Sequence, residues 1–131
     1  FCGTQHAYMI GKVIAMEPGD YHDWLQGGPT SSMSMAEAGE KQFAQLGCQT
    51  CHKADSGGRG PTLVGIFNEP QQLDNGTEVV ADSDFLRESI LYPNAKILKG
   101  YQAIMPAYEG QINDQSLNQL VAYIKSLNEI P

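Results

Sequence analysis

The sequence predicts an all-α domain in which three main helices are separated by long loops, with a short strand and loop ahead of them. Three segments with apolar residues at three- and four-residue spacing, each preceded by a capping residue, predict the helices. Residues 53–80 are rich in glycine, proline and polar residues without periodicity, which predicts a long irregular loop. The composition of "GGPTSSMS" at 27–34 is that of a flexible link. We therefore expect residues 1–33 and residues 34–131 to form separate parts.

The first main helix is predicted by its start signal. Ser34 is the expected N-cap, and Glu37, three residues later, completes the pattern of a capping box. The helix is expected to run into Cys48. Its predicted apolar face comprises Ala36, Gly39, Phe43 and Leu46.

The other two main helices have similar boundary signals. The middle helix is expected to start at Asp82 or Ser83 and to end before Pro93, because the residue before a proline disfavours helical backbone. Asn113 or Asp114 is expected to cap the last helix. The residues predicted to be buried are Phe85, Leu86 and Ile90 in the middle helix, and Leu117, Leu120, Val121, Ile124 and Leu127, with Tyr123 beside them, in the last helix.

The N-terminal part has a different pattern. "GKVIAME" at 11–17 is rich in β-branched and apolar residues, which predicts a strand. "PGD" at 18–20 is a turn signal, and "YHDWLQ" at 21–26 is compatible with a short helical turn.

Composition and charge restrict the class of protein. The chain has 131 residues and is 41% hydrophobic, which favours a folded domain over a disordered chain. Fifteen acidic and eight basic residues give a net charge of −7, so nucleic acid is not an expected partner. No apolar run approaches the roughly 20 residues needed to span a bilayer, so the chain itself is expected to be soluble and not membrane-spanning.

The stretch "CQTCH" at 48–52 matches the C-x-x-C-H signal of haem attachment. Two residues between Cys48 and Cys51 let both sulfurs reach the vinyl groups on one edge of a porphyrin, and His52 follows where its imidazole can bind iron. A redox-active C-x-x-C motif would follow a strand, whereas a helix precedes this motif. A zinc site would need a second Cys or His pair downstream, and none follows. One covalent haem c is therefore the prediction.

A six-coordinate iron needs a second axial ligand, and the methionines are candidates. Met105, in "GYQAIMPAY", lies far downstream of the attachment signal, with Pro106 to restrict its backbone. The alternative for any methionine is flexible filling of the core. We predict that Met105 is the second ligand, so that no coordination position remains for a substrate.

On these motifs residues 36–129 resemble a class I cytochrome c domain, with a helix leading into "CQTCH", a "GRGPTLVGIF" loop, an "MP" loop and a closing amphipathic helix. The resemblance implies three main helices and long loops around a covalent haem. It implies that the Pro61 carbonyl accepts a hydrogen bond from His52, and that Gly39 and Phe43 meet the last helix near Leu120 and Tyr123. It further implies a haem crevice lined by Leu63, Ile66, Tyr92 and Tyr101. Arg59 is a candidate for binding a propionate, and the alternative is a solvated surface arginine.

The opening stretch "FCGTQHAYM" has the pattern C-G-x-x-H-x-x-M formed by Cys2, His6 and Met9. It resembles the second half of the dinuclear copper motif in subunit II of haem-copper oxidases, and "KVIAME" and "DYHDWL" resemble the end of that cupredoxin domain. The alternative is a coincidental trio. The first bridging cysteine and the upstream histidine ligand are missing, so we expect copper in the intact parent protein only.

The two resemblances together imply a caa-type oxidase subunit II, in which a cytochrome c domain follows the copper domain. The implied function is one-electron transfer from an upstream donor protein to the dinuclear copper centre, beside catalytic subunit I. The parent would be anchored in the bacterial cytoplasmic membrane through missing N-terminal segments, with this part on the periplasmic side. The chain alone would only transfer electrons. A freestanding carrier cytochrome c is the alternative, and a haem sensor that binds a ligand in place of Met105 is a third.

Overall fold

The structure is a computed structural model that describes residues 13–16, 18–25 and 33–129. The chain divides into two units, Phe1–Ser32 and Met33–Pro131. Each unit is described by itself.

The described part of the first unit contains one helix, α1 (Pro18–Leu25). The turn predicted at 18–20 is wrong, because the helix already begins at Pro18, and the fixed φ of proline suits the first turn of a helix. The predicted helical turn at 21–26 is confirmed up to Leu25. Residues 13–16 have no regular secondary structure, so the predicted strand is wrong over these residues. A strand needs a pairing partner, and none of the described residues pairs with them.

In the second unit the first main helix is α2 (Met35–Gln45). The capping box is present: the Glu37 backbone N–H donates to Ser34 Oγ at 3.2 Å, and the Ser34 backbone N–H donates to Glu37 Oε2 at 2.6 Å. The helix ends earlier than predicted, because Gly47 has a φ of +72°, outside the helical region. A short 3-10 turn, Cys48–Thr50, follows directly.

Residues 53–80, predicted to be irregular throughout, contain a small antiparallel sheet. Strand β1 (Pro70–Gln72) pairs with β2 (Glu78–Val80), with Gln71 opposite Val79. The turn between them contains "DNG", a hairpin signal that the periodicity argument missed. Asn75 Oδ1 accepts a hydrogen bond from the Thr77 backbone N–H at 2.9 Å, which stabilises the turn.

The remaining helices agree with the predictions, except that Leu127, expected in the last helix, is half-buried in the 3-10 turn Leu127–Glu129 that follows it. Helix α3 (Ser83–Leu91) is capped by Asp82, whose side chain accepts from the Phe85 backbone N–H. Helix α4 (Asp114–Ser126) is capped by Asn113, whose side chain accepts from the Ser116 backbone N–H. None of the helices in the described ranges is long and apolar enough to cross a membrane.

The core of the second unit lies where α2 crosses α4. A Cβ placed on Gly39 would overlap the backbone carbonyl of Gln119 and lie 2.8 Å from Tyr123 Cβ, so only glycine permits this approach. The rings of Phe43 and Tyr123 pack with their centroids 5.3 Å apart. The predicted crossing is therefore confirmed. The buried apolar residues are Phe43, Ile66, Leu73, Ala81, Phe85, Leu86, Ile90, Leu117, Leu120, Val121 and Ile124.

Candidate functional site

A mainly apolar cavity of about 370 Å³ lies beside this core. Its wall comes from the end of α2 and the 3-10 turn, from α3, and from the irregular segment 93–108. Cofactor sites in proteins have volumes of roughly 300–1,000 Å³ and mostly apolar walls with a few polar groups. Apolar residues outside the fully buried core also line this cavity: Leu63, Leu98, Ile104, Met105 and Pro106.

Cys48 begins the 3-10 turn, and Cys51 directly follows the turn. Both residues contribute to the wall of the cavity. The Cys48 carbonyl accepts from the backbone N–H groups of Cys51 at 3.2 Å and of His52 at 2.9 Å. This tight turn presents all three side chains to the same cavity. Cys48 and Cys51 form no disulfide bond with each other, and burial raises the pKa of the Cys48 thiol above its usual value.

His52 is held by the loop that follows it. Its Nδ1 atom lies 2.8 Å from the Pro61 carbonyl oxygen, the contact that the family resemblance implies. With Nδ1–H donating to this carbonyl, Nε2 is left as the free ring nitrogen. Gly60 lies against the ring, since a Cβ there would come within 2.8 Å of His52 Cε1.

Met105 also lines the cavity and is partly buried against the core. It belongs to an irregular segment, 102–108, which has no helix or strand. The structure thus brings the two cysteines, His52 and Met105 of the sequence prediction to one cavity.

The other predicted cavity residues divide into two groups. Leu63, Ile66, Tyr101 and Pro61 line the cavity as predicted. Tyr92 does not: it is 47% exposed, and its hydroxyl donates to Glu109 Oε1 at 2.7 Å. Tyr92 follows α3 with a backbone φ of −129° and ψ of 63°, which leaves the helical path. Its side chain therefore lies outside the cavity.

Arg59 is exposed, and its Nη2 lies 3.7 Å from Cys51 Sγ. Arg59 also contributes to the cavity wall. Its role in binding a propionate stays a prediction.

Sequence reasoning missed Tyr108. Its hydroxyl donates to the Leu46 carbonyl oxygen at 3.3 Å, and it lines the cavity near Cys48. Burial is the main cause that raises the pKa of Tyr108, and neighbouring Cys48 adds to it. In the sequence, its position three residues after the predicted ligand Met105 could have indicated that Tyr108 lies near the cavity.

Cys2, His6 and Met9, predicted as copper ligands of the parent, lie outside the described residues. Within residues 13–16, 18–25 and 33–129, no cluster of three or more His, Cys, Asp or Glu side chains is suited to a metal ion.

The cavity's donors suit an iron porphyrin. Imidazole and thioether are ligands of haem iron, the paired thiols have attachment spacing, and the apolar wall suits the flat ring. Fold and site together define a helical domain built around a prosthetic group. The sequence profile of the cytochrome c family matches residues 36–128, and the chain belongs to this family. The class I resemblance is confirmed, and membership implies haem and electron transfer.

A relative is similar over nearly the whole chain. Cytochrome c oxidase subunit 2 of Alkalihalophilus pseudofirmus is 27% identical over 132 residues, a match that covers 96% of this chain and 36% of that protein. The chain therefore spans about a third of the length of this relative. The match includes most of residues 1–33 in addition to the cytochrome c domain.

Proposed function

We propose that this chain carries one covalent haem c and transfers single electrons from an upstream donor protein to the dinuclear copper centre of a haem-copper oxidase. Cys48 and Cys51 would form the two thioether bonds to the haem, and His52 and Met105 would bind its iron. The observation that carries the proposal is the meeting of these side chains at one apolar cavity, with the His52 ring held 2.8 Å from the Pro61 carbonyl.

The residues of the chain have separate tasks in this function. When bound, the haem supplies a one-electron couple, and ligation by His and Met favours a high potential. The Pro61 carbonyl fixes the His52 tautomer and ring orientation and raises its basicity as a ligand. Ile66, Phe85 and Leu86 exclude water from the cavity wall, which favours the less charged, reduced state. With His52 and Met105 both bound to the iron, the haem would have no coordination position for a substrate.

The oxidase role is supported by the relative, whose match extends across most of residues 1–33. The match fits a caa-type fusion of a copper domain with a cytochrome c domain. We propose that residues 1–33 belong to the copper-binding part of subunit II and that residues 34–131 form the cytochrome c domain. Cys2, His6 and Met9 would then bind copper in the intact parent, which is anchored in the cytoplasmic membrane with this part on the periplasmic side.

A redox titration of the haem-loaded chain, combined with carbon monoxide binding, tests the electron-transfer role. We expect a single one-electron couple and no carbon monoxide adduct of the reduced protein at neutral pH, because both axial positions are occupied. Rapid formation of an adduct would instead support the haem sensor and contradict the electron carrier.

The freestanding carrier is the second candidate, favoured by the division of the chain, which places all three main helices in the unit Met33–Pro131. The coding sequence upstream of Phe1 discriminates between the two. An oxidase subunit requires an upstream cupredoxin with the remaining copper ligands, and the protein expressed from that longer frame should bind copper in a mixed-valence centre. A frame without these ligands would leave the carrier as the function.

A further inference from the structure

Tyr108 connects the segment that contains Met105 to two other parts of the domain. Its phenol hydroxyl donates to the Leu46 carbonyl oxygen at 3.3 Å. Its backbone N–H donates to the Ile90 carbonyl oxygen, in α3, at 3.2 Å. The side chain is partly buried against the core and lines the same cavity as Met105. One residue therefore contacts the ends of α2 and α3 from the irregular segment.

The acceptor of the phenol lies at the attachment end of the cavity. Leu46 is the C-cap of α2, two residues before Cys48. Carbonyls at the end of a helix lack partners within the helix, so a side-chain donor there is stabilising. Because burial raises the pKa of Tyr108, its hydroxyl keeps the proton that it donates. The hydrogen bond thus joins the attachment turn to the Met105 segment.

The chain around Met105 has few other tethers. Among the described contacts, no backbone-to-backbone hydrogen bond involves residues 105–107. Tyr108 is the first residue after Met105 with such bonds, since its carbonyl also accepts from the Gln111 N–H at 3.0 Å and the Ile112 N–H at 3.3 Å. The position of the Met105 sulfur therefore depends on how firmly Tyr108 is held.

We infer that Tyr108 is a positioning residue that holds the Met105 segment against the attachment turn and so keeps the Met105 thioether on the iron. This inference rests on the proposed ligation by Met105. The phenol does not touch the iron in this account; it acts through the two residues, Pro106 and Ala107, that separate it from Met105.

The test replaces Tyr108 by phenylalanine in the haem-loaded chain, which removes the hydroxyl and keeps the ring. Imidazole is titrated into the oxidised protein, and displacement of Met105 is followed through loss of the near-infrared sulfur-to-iron band. We expect the apparent imidazole binding constant to rise about 2- to 10-fold, the range that corresponds to one net hydrogen bond. The midpoint potential should fall, because a weaker thioether bond reduces the preference for the reduced state.

Two matched variants control for loss of a phenol elsewhere. Tyr123→Phe removes a partly buried hydroxyl that has no described hydrogen bond to the Met105 segment, so both readouts should stay unchanged. Tyr92→Phe removes the hydrogen bond to Glu109, one residue beyond Tyr108, and should change the imidazole constant by less than Tyr108→Phe does. Equal effects of Tyr92→Phe and Tyr108→Phe would overturn the inference, because any tether would then suffice.

An unchanged imidazole constant and potential in Tyr108→Phe would also overturn it. So would a failure of this variant to fold, measured by guanidinium unfolding, because the role of Tyr108 would then be general stability. The proposed function fails in a different way: the wild-type protein would lack the sulfur-to-iron band before any imidazole is added.

Discussion

The Nδ1 atom of His52 and the carbonyl oxygen of Pro61 lie 2.8 Å apart, which leaves the other ring nitrogen free to bind a metal. Pro61 lies nine positions after His52, and the loop between them returns to the imidazole at Gly60. The backbone therefore holds the imidazole at Nδ1. The residue packed against the ring, Gly60, has only a hydrogen atom in place of a side chain.

This packing predicts the effect of Gly60→Ala. The added Cβ would lie 2.8 Å from His52 Cε1 and 3.0 Å from Nδ1, so the ring or the loop must shift. We expect a loss of stability of about 1–3 kcal/mol, the usual cost of overpacking, and a changed midpoint potential. Guanidinium unfolding and redox titration measure these two effects. Gly57→Ala is the control, because its added Cβ meets only the flexible Asp55 side chain. If Gly60→Ala and Gly57→Ala have the same stability and midpoint potential, the ring tolerates the added methyl group and the prediction is wrong.

Covalent attachment is predicted to involve both cysteines of the attachment turn. In wild-type protein the haem should stay with the polypeptide in acidified organic solvent, because thioether bonds survive it. Replacing either Cys48 or Cys51 by alanine should leave a single bond, and the double variant should release all haem. The measurement is the haem absorbance in the protein and solvent phases. Haem that extracts from the wild type would refute covalent attachment.

Met105→Ala should abolish the sulfur-to-iron band of the oxidised protein and lower the midpoint potential, because the thioether ligand is lost. Met35→Ala is the matched control: Met35 is 46% exposed at the start of α2, and its removal should leave the spectrum unchanged. Near-infrared absorption of the two proteins decides the assignment. A band that persists in Met105→Ala would transfer the role to another methionine.

Gly39→Ala should destabilise the crossing of α2 and α4. The new methyl group would overlap the Gln119 carbonyl, so the helices must move apart and lose packing between Phe43 and Tyr123. We expect a cost of about 1–3 kcal/mol, even though alanine is the better helix former. Glu40→Ala, on the exposed face of the same helix, should be close to neutral. Chemical unfolding of both variants measures the difference, and a neutral Gly39→Ala would contradict the close packing.

The capping box predicts a dependence of stability on pH. The Glu37 carboxyl accepts hydrogen bonds from the Ser34 backbone N–H, which has the larger effect, and from the Ser34 hydroxyl. These bonds hold the pKa of the carboxyl below its ordinary value of 4.5. A lowered pKa in the folded state means that this contribution to stability is present above pH 4.5 and is lost as the pH falls through the lowered pKa. Glu37→Gln should flatten this part of the stability curve. An identical acid dependence in wild type and Glu37→Gln would exclude the effect.

The sequence by itself determined the helices, the attachment signal and the family. Capping residues act on backbone groups within a few positions, so Ser34, Asp82 and Asn113 marked their helices without help from the rest of the chain. The attachment signal could be recognised for the same reason, because Cys48, Cys51 and His52 all lie within residues 48–52.

Tertiary structure decided what depends on distant partners. The hairpin of β1 and β2 is an exception, because its pairing is local: the strands are too short for periodicity to register, and the "DNG" turn between them was the available signal. The resemblance implied that Tyr92 lines the cavity, but the direction of a side chain depends on the backbone torsions and neighbours at its site. The tie between Tyr108 and Leu46 spans 62 residues, and no local pattern encodes a contact of that separation. The fold alone brings them together, because α2 ends where the Met105 segment returns to the cavity.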